Sequence, residues 1–246
     1  MVAGLGLVGG SLARALHQAG YEVVGVDRPA ALRAARAAGI LAAAFTSLED
    51  ALAGADVLVV AAPPRASLRL LRRVARSAPS RLVVTDVTSI KREIVAEARR
   101  LGLGRFVGGH PIAGNEGRGF AASDVGLFRG RTWILTPDGA DAGAVRAVRS
   151  LVRAVGARPV ALTAREHDRV LAFLSHLPQI VAWALQAAAR GDGSARRRLA
   201  LAGPGFRDMT RLARSPRALW REILKGNRDE VSRALATFSR ALGRIR

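Results

Sequence analysis

The sequence predicts an α/β protein, a doubly wound and mostly parallel sheet followed by an all-helical C-terminal domain. Three observations carry this. Short apolar runs alternate with helical stretches as far as about residue 160. A glycine-rich turn opens the chain and leads straight into one of those helices. Strand-like runs stop after about Thr163. The expected division is a first domain over 1–160 and a second over 161–246.

The strand candidates in order are Tyr21–Asp27, Asp56–Ala61, Arg81–Thr85, Phe106–Gly109 and Thr132–Thr136. All but Phe106–Gly109 are rich in Val, Ile or Leu and are bounded by Gly, Pro, Asp or Thr. They are apolar throughout rather than alternating, as expected of strands covered on both faces. The intervening alanine- and arginine-rich segments place apolar residues such as Leu68, Leu71 and Ala75 at helical spacing. Right-handed crossovers then wind the domain on both sides of the sheet. Met1-Val2-Ala3 is short for a central first strand of ~5–6 residues and is expected to continue upstream of Met1.

In the second segment a helix is expected from about Ala164 to Arg190, with shorter pieces around 195–213. A single long helix is then expected from Pro216 to the end, with Ser215 as its cap and Leu219, Ile223, Val231, Leu235, Phe238, Leu242 and Ile245 as its stripe. Leu171 to Ala189 contains no charged residue and is long enough to cross a bilayer. Ser175, His176, Pro178, Gln179 and Gln186 interrupt it, so it reads as a buried helix of a soluble core, with Pro178 as a kink. Some 80 helical residues with long apolar stripes are expected to complete their core against a second copy.

Composition narrows the function classes. The 246 residues carry 39 basic and 19 acidic side chains, a formal charge of +20, and half are hydrophobic. That is a globular composition and excludes wholesale disorder. There is no cysteine, which excludes disulfides and cysteine-ligated zinc, and no metal site is expected. Lys91 and Lys225 are the only lysines among the basic residues, so the charge is almost wholly arginine and looks like a compositional habit. It is spread along the chain, unlike a nucleic-acid-binding tail, and reads as a solvated basic surface that attracts small anions. No basic leader precedes the glycine turn, and a cytoplasmic protein without a membrane or nucleic-acid partner is expected.

Gly4-Leu5-Gly6-Leu7-Val8-Gly9 is followed by an apolar helix and then by a strand ending in Asp27. Such a context makes the glycine pattern a dinucleotide fingerprint and the domain Rossmann-type. Gly4 permits the tight turn, Gly6 a close approach of pyrophosphate to the backbone, and Gly9 close packing of helix on strand. Leu7 and Val8 open the helix whose free N–H groups face the phosphates. Asp27 would accept the ribose hydroxyls and repel a 2′-phosphate, favouring NAD over NADP, while Arg28 beside it would soften that choice.

Four further motifs follow: Thr85-Asp-Val-Thr-Ser-Ile-Lys91, Gly108-Gly-His-Pro-Ile-Ala-Gly-Asn-Glu116, Leu174-Ser-His-Leu-Pro178, and Gly205–Ala213 with Trp220 beyond. With the opening glycine loop, these resemble the prephenate/arogenate dehydrogenase family of tyrosine biosynthesis along essentially the whole chain. The resemblance implies a Rossmann-type domain, a helical dimerisation domain, and NAD-dependent oxidative decarboxylation of a small anionic substrate. Prephenate would give 4-hydroxyphenylpyruvate; arogenate would give tyrosine. By the same resemblance His110 is the catalytic base, Ser89 its hydrogen-bonding companion, and Arg211 the partner of a substrate carboxylate. Ser175, His176, Gln179, Asn115 and Glu116 fall in the substrate-binding motifs. Histidine suits a base that must be neutral near pH 7, and arginine's planar fork suits a carboxylate.

Two positions depart from the family pattern: Gln179 stands where many members have histidine, and Asn115 where many have Thr or Ser. Gln179 brings no negative charge for an ammonium, which favours the keto acid prephenate over arogenate. A nucleic-acid-binding protein would explain the charge but leaves the glycine loop, Asp27 and the His110 motif without a role.

Overall fold

In a computed structural model of the chain, residues 1–115, 117–191 and 194–245 are described below. Two compact units result, Met1–His167 and Asp168–Arg246.

The first unit is built on one eight-stranded sheet in the order β3-β2-β1-β4-β5-β6-β7-β8. These strands are β1 (Val2–Ala3), β2 (Val24–Val26), β3 (Ala43–Phe45), β4 (Val57–Val60), β5 (Val83–Asp86), β6 (Phe106–Pro111), β7 (Thr132–Thr136) and β8 (Arg158–Ala161). All neighbours are parallel except β6 and β7, whose register sets His110 opposite Ile134. Strand order reverses between β1 and β4, the switch point where open α/β sheets bind ligands beyond the strand C-termini.

Both faces are covered, and the strands show why their apolar runs do not alternate. Val2, Val59, Val83 and Val107 point into one core; their neighbours Ala3, Val60, Val84 and Phe106 point into the other. Helices α1 (Leu7–Gln18), α2 (Pro29–Ala37) and α6 (Ala142–Ala154) fill the first core through Leu12, Leu32 and Val148. Helices α3 (Leu48–Leu52), α4 (Pro64–Ser77) and α5 (Arg92–Arg100) fill the second through Leu52, Leu71 and Ile94. The apolar runs around β2 and β4 are longer than the strands they form, and Tyr21 is exposed. β3 and β8 go beyond the expected strands; Ala43-Ala-Phe45 and Arg158-Pro-Val-Ala161 each hold a single strand-favouring side chain and are strands because they pair with β2 and β7.

The second unit is helical. Helix α7 (Ala164–Leu171), in which the division into units falls, widens into a π-turn over Ala172–His176 and continues as α8 (Leu177–Ala189). Pro178 follows this π-turn directly, in the first turn of α8, so the wider turn stands where its ring and missing N–H would disturb a regular helix. Then come α9 (Ala195–Ala200), α10 (Pro204–Thr210), a 3₁₀ turn over Arg211–Arg214, α11 (Arg217–Gly226) and α12 (Arg228–Gly243).

Two expectations need correction here. The last helix is two helices, broken at Asn227, whose fully buried amide donates to the Asp168 carbonyl at 2.7 Å and lies 3.2 Å from His176 Nδ1. Satisfying that buried carbonyl outweighs helical continuity. The apolar helix is also not buried as a whole: Leu171, Ala172, His176, Gln179 and Ala182 form one buried stripe, and only 28% of its most apolar window is covered. Val170, Phe173 and Leu174 are exposed on the single chain. The helix remains long and apolar enough to cross a membrane by length and composition.

Candidate active site

The glycine loop has the shape its sequence requires. Gly4 has φ +101°, and a Cβ there would stand 2.2 Å from the Ala61 carbonyl oxygen of the segment after β4. A Cβ on Gly9 would reach 1.8 Å from the Gly4 carbonyl oxygen, so α1 packs against β1 only with glycine there. A Cβ on Gly6 would meet nothing within 4 Å, which leaves its backbone open to a ligand. Leu7 and Val8 begin α1, whose cap position Gly6 has no side chain to satisfy the first N–H groups. Asp27, at the end of β2, accepts from Leu5 N–H and Arg28 N–H, each at 2.6 Å. Its carboxylate is thus aimed at the loop, with acceptor capacity remaining on both oxygens. Arg28 is exposed at the start of α2. This uncapped helix end, open Gly6 and acid at the loop fit a dinucleotide.

At the same C-terminal edge, β5 and β6 carry the second group of residues. Asp86, fully buried, gathers the loop between β5 and α5 around itself. It accepts from Thr88 N–H at 2.9 Å, from the Thr88 hydroxyl, and from Lys91 Nζ, which is itself fully buried and donates to Thr88 Oγ1 at 2.8 Å. Its other oxygen accepts from Gly109 N–H at 3.0 Å. One carboxylate therefore ties the loop that carries half-buried Ser89 to the strand residue that precedes His110.

His110 lies inside β6, which runs two residues further than expected, to Pro111. The residue is 8% exposed, and its Nδ1 is 2.8 Å from Nε2 of His167 in the first turns of α7, which is fully buried. Asn115 is exposed and its side chain closes a local turn by accepting from Gly117 N–H at 2.7 Å. Glu116 lies outside the described residues.

The second unit holds the other candidates. Arg211 is exposed at the junction of α10 and the 3₁₀ turn. Gln179 is fully buried and its Nε2 donates to the Leu212 carbonyl at 2.8 Å, so it supports the turn that presents Arg211. His176 is fully buried, beside Asn227 and edge-on to Trp220, whose ring centroid is 6.0 Å away. Ser175 is half-buried in the π-turn. Among the described residues no cluster of three metal-binding side chains occurs.

The family model described as the nucleotide-binding domain of prephenate dehydrogenase matches residues 12–161, and the one described as its dimerization domain matches 163–246. The chain belongs to the prephenate dehydrogenase family. Prephenate dehydrogenases of Lactococcus lactis and Bacillus subtilis are 32% and 34% identical to it over its whole length, which spans 69% and 68% of theirs. The solved prephenate dehydrogenase of A. aeolicus, in complex with hydroxyphenyl propionate and NAD+, is 31% identical and superposes with a TM-score of 0.92, covering 99% of this chain and 87% of that one.

Seen as a member of this family, the chain carries two features that its sequence did not reveal. His167 belongs to none of the five sequence motifs, and its partner His110 is 57 positions away. Asp86 sits within the Thr85–Lys91 motif, but nothing in the spacing shows that it bonds to Gly109.

Proposed function

We propose that the chain is an NAD-dependent prephenate dehydrogenase, which converts prephenate to 4-hydroxyphenylpyruvate and CO2. The observation that carries this reading is a buried histidine at the C-terminal end of β6 in the same sheet as the glycine loop and Asp27, in a chain that matches both domains of the family. When bound, NAD supplies the hydride acceptor. Asp27 holds the adenosine ribose and the start of α1 faces the phosphates. His110 takes the proton of the substrate's ring hydroxyl as hydride leaves that carbon, and Ser89 holds the same hydroxyl by a hydrogen bond. Loss of the ring carboxylate as CO2 leaves its electron pair to the aromatising ring, and His110 returns the proton to the phenolic oxygen. No proton is consumed overall. Arg211 pairs with a substrate carboxylate. Ser175, His176, Gln179, Asn115 and Glu116 complete the substrate-binding motifs, the first three in the second unit.

The enzyme is further proposed to be a cytoplasmic homodimer that pairs through its helical domain, with domains over 1–160 and 161–246. The exposed Val170, Phe173 and Leu174 on an otherwise apolar helix support such pairing. The basic surface attracts the anionic substrate and needs neither nucleic acid nor membrane as partner.

The deciding experiment offers prephenate and arogenate separately with NAD and with NADP, and follows reduced-nicotinamide absorbance. Turnover is expected with prephenate and NAD, and His110→Asn should abolish it while leaving NAD binding intact. Turnover confined to arogenate would overturn the substrate, and silence in all four mixtures would overturn the activity.

A further inference from the structure

We infer that His167 is a positioning residue for His110: a second imidazole that selects the tautomer of the first and holds its conjugate acid. The inference rests on the reading of His110 as the base. The 2.8 Å separation of His110 Nδ1 and His167 Nε2, with ring planes inclined at 58°, is a hydrogen bond between two imidazoles, and one nitrogen must carry the proton. A base working through Nε2 must be protonated on Nδ1, so His110 donates and His167 Nε2 accepts. When His110 takes the substrate proton on Nε2, the Nδ1–H bond remains and strengthens as a charge-assisted bond. This is the orienting third group of a nucleophile–base–orienter arrangement, here attached to a hydroxyl-proton abstraction and supplied by a neutral ring.

Burial sets the direction of the pair. His167 is fully enclosed and His110 is 8% exposed, so a positive charge is held at lower cost on His110. Among the described residues, the elements around the pair carry charged groups of both signs, and α7 itself adds Arg165 and Arg169. Asp86 and Lys91, at the end of β5, form a pair of opposite sign beside Gly109. Asp138, after β7, caps α7 by accepting from Ala164 N–H at 2.7 Å, and Glu166 and Asp168 flank His167 along the chain. Glu166 turns back to accept from Thr163 N–H at 2.8 Å and from its hydroxyl at 2.7 Å.

The chain has four histidines, so each imidazole is assignable by single substitution in ¹⁵N spectra. Long-range ¹⁵N–¹H correlations of the wild-type protein without substrate should show His110 as the Nδ1–H tautomer. His167→Phe should release that preference. In turnover with prephenate and NAD, His167→Phe should lower kcat by about 100-fold with KM little changed, and should move the acid limb of kcat/KM to lower pH, because the imidazolium loses its acceptor. His167→Gln keeps an acceptor near the place of Nε2 and should restore kcat to within about tenfold and return the limb.

An Nε2–H tautomer of His110 in the wild type would overturn the inference. So would a folded His167→Phe protein with wild-type kcat and pH profile. Should His167→Phe fail to fold, the wild-type tautomer and the His167→Gln profile still decide. Wild-type protein inactive on prephenate would sink the proposed function instead, and the tautomer measurement would judge the histidine pair by itself.

Discussion

Asp86 and Lys91 show how much one buried pair can organise. The carboxylate has Thr88, Lys91 and Gly109 as donors, and both charged side chains are fully buried. Removing the ammonium leaves an uncompensated buried charge, which is far costlier than losing a surface ion pair. Lys91→Met is therefore expected to destabilise the protein by about 3–5 kcal/mol, read as a lower urea midpoint. Adding Asp86→Asn to that variant should recover part of the loss, because the remaining group is then neutral; a double variant worse than the sum of the two singles would refute this account. Lysine's scarcity was visible in the sequence, and so was its place in a motif with Ser89. That its partner also holds the strand of His110 was not, since Gly109 is 23 positions from Asp86.

Between elements, Glu97 of α5 bridges Arg72 of α4, at 2.6 Å, and Arg100 one turn onward, at 2.8 Å. Hydrogen bonds from Arg100 and then Arg72 hold its carboxyl well below the usual range, at about 2, against the smaller opposing effect of partial burial. An unfolded chain lacks these donors and binds the proton near the ordinary value of 4.5, so between these pH values it binds more protons than the folded chain. Stability from this tie is therefore complete above about pH 4.5 and lost as pH falls towards 2. Glu97→Gln should flatten the decline of the thermal midpoint across that window. An unchanged slope would show that the tie contributes nothing. The helical faces of α4 and α5 were legible from their apolar spacing. The bridge between them was not, because arginine-rich helices offer many equivalent partners for an acid and only packing selects one.

At the scale of the whole molecule, the apolar helix over 164–189 states what the single chain leaves undone. Its buried stripe recurs every three to four residues, while Leu174 on another face is 74% exposed. If a second copy covers that face, light scattering should give twice the chain mass, and Leu174→Glu should yield monomers at low concentration, since burying a carboxylate in an apolar interface is disfavoured. A wild-type protein that is monomeric at every concentration would remove the dimer from the proposal.

Periodicity alone determined the two-sided sheet, the place where strands give way to helices, and the glycine loop with its acid. Each is a local pattern: apolar runs demand cover on both faces, and Gly4 and Gly9 stand where a Cβ would collide with backbone. Resemblance singled out His110, Ser89 and Arg211, again from contiguous motifs. Only the tertiary structure decided which histidine faces His110, which carboxylate holds the Ser89 loop, and why the final helix breaks at Asn227. The Asp86–Gly109, His110–His167 and Asp168–Asn227 contacts join residues 23 to 59 positions apart, and these partners meet only after the sheet and helices have packed. A buried polar group must find a hydrogen-bond partner, but the chain order does not say which one; the geometry of the packed elements does.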